Sequence, residues 1–152
     1  MYKINSIDEA KALEGQELGV SDWVLINQER IDQFATATGD DQWIHVDRSR
    51  ASKELPNGRT IAHGYLTLSL IPALTRNFIE VEGLQQIINF GCNKVRFYTT
   101  VTEGDKVRAR GTLVQARKRG TMTQLLSKIS VEVEGHPKPA CVVEMLVLLV
   151  MK

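Results

Sequence analysis

Cysteine is scarce in this chain. There are two, Cys92 and Cys141, and neither stands in a Cys-x-x-Cys or Cys/His arrangement. That excludes a disulfide framework and a zinc knuckle, and both are expected as buried thiols in a reducing compartment. An excess of charge is missing as well, since 19 basic and 18 acidic side chains leave a net charge of +1. A dedicated nucleic-acid binder must neutralise several phosphates and is far more basic, so that class of partner drops out. No apolar run reaches the ~20 residues that a membrane span requires. The longest, Ala140 to Met151, is interrupted by Glu144. Met1 to Gly15 is polar and lacks a basic region followed by an apolar core, so it does not have the form of a secretory signal. Together these absences predict a cytoplasmic protein with no membrane partner.

What is present fits one globular domain over residues 1–152, with 43% hydrophobic and 24% charged residues. No internal repeat, low-complexity tract or linker divides it. Ser6-Ile7-Asp8-Glu9 has the form of a capping box, which predicts a short helix ending near Gly15. Gly19 to Ile26 looks extended. Asn27 caps a second predicted helix running to about Thr38, where Gly39 supplies the left-handed terminus. Asp40 to His45 then leaves that helix as a loop, Asp47 is placed to cap a further turn, and Leu55-Pro56-Asn57-Gly58 is turn chemistry.

From Ala62 to Ile79 the chain is apolar on nearly every helical face, which predicts a long buried helix. Pro72 conflicts with that reading, because it removes the hydrogen bond to the Leu68 carbonyl and should kink or end the helix. Beyond Gly83, four β-branched or alternating segments follow: Gln85–Phe97, Asp105–Arg117, Thr121–Val133 and Ala140–Val150. Turns at Thr102-Glu103-Gly104-Asp105, Arg119-Gly120 and Gly135-His136-Pro137 separate them. An antiparallel sheet that must bury one apolar helix on most sides has to curl around it. The predicted class is therefore α+β, a single hotdog fold with the sheet wrapped around a long central helix.

Two segments concentrate chemistry. Thr38-Gly39-Asp40-Asp41-Gln42-Trp43-Ile44-His45 brings a carboxylate and an imidazole into one loop, enough to hold a water and move its protons. Taken alone, the same residues more simply suit a turn cap and a packed surface histidine. Thr60-Ile61-Ala62-His63-Gly64-Tyr65 opens the predicted helix. Unpaired amides at a helix start suit a developing oxyanion, and Gly64 lets a ligand approach the backbone closely. Tight helix–strand packing at Gly64 and capping by His63 is the purely structural alternative.

Together the two segments resemble the MaoC-like, (R)-specific enoyl-CoA hydratases (hydratase 2), and most closely their NodN-like branch. The family pattern runs from an aromatic through Gly-Asp-x-Asn-Pro-aliphatic-His and a small residue to an aliphatic-x-His-Gly helix start. Phe34, Gly39, Asp40, Ile44, His45, Ala51 and Ile61-Ala62-His63-Gly64 match it. Ile88 to Phe97 also looks like the NodN-type strand, and the likeness spans about Asp22 to Val150. It implies syn hydration of a trans-2-enoyl-CoA to an (R)-3-hydroxyacyl-CoA, and the reverse. Asp40 and His45 would handle the water and its protons, and the Gly64 amide, with His63 beside it, would bind the thioester oxygen. Gln42 stands where the family has an orienting Asn, and Trp43 where it has Pro. No cofactor and no metal is implied. The expected partners are a CoA or acyl-carrier-protein thioester and a second copy of the chain, because the sheet of one hotdog leaves an open edge.

Other cations (Lys94, Arg96, Arg108, Arg110, Arg117, Lys118, Arg119) are candidates for the CoA phosphates, but alternating charges on strands usually form a solvated face. Two rival functions remain at this level. A hotdog thioesterase would ordinarily carry a carboxylate on the central helix, where Tyr65 to Ile79 has none. A non-catalytic acyl-thioester-binding module is the other.

Overall fold

The computed structural model describes all 152 residues. A three-residue strand, β1 (Tyr2–Ile4), leads into helix α1 (Ile7–Ala12). The Ser6 hydroxyl accepts from the Glu9 amide at 3.2 Å, and the Glu9 carboxylate accepts from the Asn5 amide at 2.7 Å. The reciprocal capping bond thus lands one residue earlier than the box motif places it. Two short strands follow, β2 (Glu17–Val20) and β3 (Val24–Leu25), and then α2 (Gln28–Thr38). Its caps are the expected ones: the Asn27 side chain accepts from the Arg30 amide at 3.0 Å, and Gly39 adopts φ 77° at the C-terminus.

Asp40 to His45 is not a loop throughout. Trp43–Val46 forms a single helical turn, α3, and Asp47 caps α4 (Arg48–Glu54) by accepting from the Arg50 amide at 2.8 Å. The long helix expected from Ala62 to Ile79 is also revised. It divides into α5 (Gly64–Ser69) and α6 (Ile71–Leu74), with Leu70 between them. Pro72, in the first turn of α6, has no N–H to continue the ladder to Leu68, so the sequence conflict resolves as a break. Ile79 belongs instead to β4 (Ile79–Val81), which pairs in parallel with β1. Nor is this segment buried all round: Leu66, Ile71 and Leu74 face the core, whereas Tyr65 is exposed.

The main sheet is built from β5 (Leu84–Phe97), β6 (Lys106–Arg119), β7 (Met122–Val133) and β8 (Cys141–Met151). Its strand order is β2-β6-β7-β8-β5, antiparallel throughout, with β3 also on β6. Alternate residues of β6 and β7 (Val107, Ala109, Leu113; Leu125, Ile129, Val131, Val133) turn toward α5 and α6 and join them in one core. Gly111 is part of that face because nothing larger fits. A Cβ there would lie 2.9 Å from both Ile129 and the Phe78 ring. Sheet around helix, this is the hotdog architecture, with a broken filling in place of a continuous one.

β5 is a 14-residue edge strand, and along it Ile87, Ile88, Phe90 and Phe97 are exposed. Cys92 is exposed on the same strand, which corrects the expectation that both thiols are buried. The cause is tertiary, since β5 has a neighbour, β8, on one side only. Cys141 is buried as expected, and desolvation pushes its thiol up to about 11. No helix is long and apolar enough to cross a membrane.

Candidate active site

His45 is the fixed point of the site. The turn α3 carries it inward to 7% exposure, and its Nδ1 lies 2.5 Å from the Ile61 carbonyl. A carbonyl can only accept, so Nδ1 carries the proton and Nε2 is left with its lone pair. Desolvation is the largest influence on this ring and lowers its pKa below the ordinary 6.5. The hydrogen bond to Ile61 opposes that shift, His63 adds to it, and Asp40 opposes it. The net result is a neutral imidazole at pH 7, with one nitrogen ready to accept a proton.

His63 lies flat against His45, with ring centroids 3.8 Å apart and planes inclined by 23°. Its Nε2–H donates to the Asp40 carbonyl at 2.9 Å, and Phe34 packs on it at 4.9 Å. The histidine that precedes the helix therefore ties the backbone of Asp40 to the helix mouth. It makes no capping bond to α5. Donor atoms of Asp40, His45 and His63 all fall within 4.8 Å of one another. As a metal cage the trio is poorly shaped: two imidazoles stacked 3.8 Å apart with planes inclined by only 23° cannot both present in-plane lone pairs to one ion, as tetrahedral ligation needs. Its shape suits proton transfer better.

Gly64 opens α5, so its N–H has no acceptor within the helix, and none of the turn or cap hydrogen bonds uses it. The α5 segment is only six residues long, so the amide itself, rather than a helix macrodipole, is what a thioester oxygen would meet. His45, Ala62, Gly64, Thr67, Phe97 and Tyr98 are among the residues lining a cleft of about 270 Å³ at this point. The Phe97 ring covers Gly64 closely enough that an added Cβ would lie 3.3 Å from it.

The structure thus brings together Asp40, His45, His63 and Gly64. It does not bring in Gln42. That residue is exposed at the start of α3, and its side chain hydrogen-bonds to neither member of the pair. The support comes from Gln28, in the first turn of α2, which sequence reasoning missed. Buried at 7% exposure, its amide donates to the His45 carbonyl at 2.8 Å and to Asp32 at 2.7 Å. Its own oxygen accepts from the buried Thr60 hydroxyl. Nothing in the sequence separates Gln28 from a solvated helical glutamine, because its partners lie 17 and 32 residues away.

Most of the candidate phosphate-binding cations are engaged elsewhere. Arg108 and Arg110 share Glu132 at 2.6 and 2.8 Å, and Arg110 also reaches Glu17 at 2.7 Å. Arg117 and Arg119 donate to the Gln124 carbonyl oxygen, and Lys94 pairs with Glu144. They form a knitted sheet face.

With this geometry in hand, the comparison with known proteins is decisive for the family. The model of the MaoC-like domain matches residues 9–134. The chain belongs to the MaoC-like family. It is 47% identical over 148 residues to the 3-hydroxyacyl-thioester dehydratase Z of Mycobacterium tuberculosis, covering 97% of each chain. It is 40% identical over 144 residues to nodulation protein N of Rhizobium leguminosarum bv. viciae, covering 92% of this chain and 88% of that one. Among solved structures, the (R)-hydratase of A. caviae superposes with a TM-score of 0.67 at 24% identity, over 88% of this chain and 94% of that one. At that identity the match speaks for the hotdog fold alone, which this MaoC-like chain therefore shares.

Proposed function

We propose that this MaoC-like protein adds water across trans-2-enoyl thioesters, giving (R)-3-hydroxyacyl thioesters, and catalyses the reverse dehydration. The observation that carries the reading is the approach of Asp40 to His45 within 4.8 Å, with His45 lining one cleft together with Gly64, whose amide is free. Hydration needs a group to take a proton from water, a group to deliver one to the α-carbon, and a donor for the oxygen as enolate character develops. The Asp40 carboxylate and the Nε2 lone pair of His45 hold the water between them and act as one coupled unit. The water oxygen bonds to C3 as the C2–C3 π electrons shift toward the thioester carbonyl. The Gly64 N–H meets that oxygen, and the pair returns a proton to C2. The hydroxyl reaches C3 and the proton reaches C2 from the one side of the substrate that faces the pair, which makes the addition syn. The name of the 47% identical relative, a 3-hydroxyacyl-thioester dehydratase, supports the same chemistry.

Hydrolysis of the thioester is the weaker reading. No carboxylate stands between Gly64 and Leu74, and Glu80 is paired with Lys3 at 3.5 Å on the far strand. Under the hydratase reading the thioester partner is CoA or acyl carrier protein. A second copy of the chain would pair along the β5 edge, whose unpaired backbone and apolar side chains form an unprotected template.

The test is loss of enoyl absorbance from crotonyl-CoA without thiol release, with chiral analysis of the product. Asp40→Asn and His45→Gln should each lower kcat about 10²- to 10⁴-fold. Unchanged turnover in both variants would show that the pair is not the proton-handling machinery.

A further inference from the structure

Among the threonines in the helices and at their ends, Thr67 alone leaves its hydroxyl without a protein partner. Near the other helix ends, Thr36, Thr38 and Thr75 return their hydroxyls to the carbonyl four residues back, at 2.9, 2.7 and 2.9 Å. The buried Thr60 hydroxyl is satisfied by Gln28. Thr67 is 4% exposed, and its amide donates to the His63 carbonyl at 3.3 Å. Its hydroxyl takes no part in the protein's side-chain hydrogen bonds, yet it is not sealed away from the cleft that it lines with His45 and Gly64. Position i+3 from Gly64 puts it on the same helical face, one turn deeper. The hydroxyl therefore offers the cleft a donor that no protein acceptor occupies, where a valine of similar shape would offer none.

We infer that the Thr67 hydroxyl is a second hydrogen-bond donor to the thioester oxygen, acting beside the Gly64 amide from the adjacent turn of α5. The inference rests on the hydratase reading and adds a substrate-touching residue to it. A donor aimed at an oxygen that gains charge during reaction strengthens as the enolate forms, so it should act on kcat more than on substrate binding.

The experiment compares Thr67→Val and Thr67→Ser with the wild-type protein on crotonyl-CoA, reading kcat, KM and melting temperature. Thr67→Val keeps the shape and loses the donor. It should lower kcat about 10- to 100-fold with KM within about threefold. Thr67→Ser should recover most of the rate, and both variants should melt within about 4 °C of the wild type. The inference is overturned if Thr67→Val keeps its kcat, or if only KM rises, which would mark uniform binding. Equal losses in the valine and serine variants would also overturn it, because they would point to packing of the γ-methyl. A wild-type protein without hydration or dehydration would sink the underlying reading and this inference with it, whereas an active wild type with an unaffected valine variant sinks the inference alone.

Discussion

Replacing Gly64 by alanine separates the two readings of that glycine, backbone access for a substrate and tight packing for the fold. The added Cβ would lie 3.3 Å from two carbons of the Phe97 ring and 3.4 Å from a third. Ordinary contact begins only a few tenths of an ångström further out. Phe97 is 47% exposed on the edge strand, so it can yield at a cost of about 0.5–1 kcal/mol. Against this, alanine in place of glycine favours the helical backbone by up to about 1 kcal/mol. Gly64 is not at a positive φ, so no backbone strain enters. The two effects nearly cancel, and for a chain of this size the melting temperature should move by no more than about 4 °C.

Activity should not be spared. The new methyl would stand beside the amide proposed to meet the thioester oxygen, and Phe97, which lines the same cleft, would have to shift. Loss of one oxyanion donor costs about 10²–10³ in kcat. Gly64→Ala should therefore fold normally and lose that order of kcat/KM on crotonyl-CoA, read in the same enoyl absorbance assay beside a thermal melt. A folded Gly64→Ala protein that retains kcat/KM within about threefold would refute the reasoning, because the glycine would then serve packing alone.

Other perturbations test the scaffold. Gln28→Ala strips the partner from Thr60 and from the His45 carbonyl, both buried; unsatisfied groups of that kind cost about 1–3 kcal/mol, so a melt should fall by about 4–10 °C. Gly111→Ala must displace Ile129 or Phe78 from a contact of 2.9 Å and should destabilise by about 1–3 kcal/mol in urea titration. The pKa of His45 is lower in the folded protein than its ordinary 6.5, so between those two values the unfolded chain binds more protons and stability falls as pH drops below 6.5. The melting temperature should accordingly decline below that pH, less steeply in His45→Gln, and the acid limb of kcat/KM should have its midpoint below 6.5. Ile87→Lys with Ile88→Lys places two charges on the open β5 edge and should turn a dimer into monomer, as read by light scattering. A wild type that is already monomeric would remove the assembly proposal.

The parts of the fold that the sequence discloses are those written in local contacts. Asn27 and Gly39 frame α2 because cap chemistry acts over three residues, and the alternation in β6 and β7 marks the strand period directly. β1 and β4, three residues each, are too short to show any period, and their pairing joins positions some 77 residues apart. The exposure of Cys92 depends on β5 being an edge, a fact about strand order that β5 itself does not encode. Pro72 announced a conflict, but whether it kinks or ends a helix depends on what packs at Leu70 and Ile71.

The same division runs through the site and gives its parts different mutational signatures. Asp40, in the link after α2, and His45, in α3, are five residues apart, so their juxtaposition is legible. What aims them is not: Gln28, the Ile61 carbonyl and the His63 ring reach the pair from α2, from the segment before α5 and from its N-cap. These holders satisfy buried polar groups, so removing one leaves an unpaired donor or acceptor inside the protein and costs stability. Asp40, by contrast, is exposed, and its carboxylate is spent on no structural bond, so Asp40→Asn should leave the melt unchanged while lowering kcat by about the same 10²- to 10⁴-fold. Gln28 variants should lose stability and rate together. If Asp40→Asn instead destabilised the protein as strongly as Gln28→Ala, the carboxylate would be a structural anchor, and the water would have to be held by His45 alone.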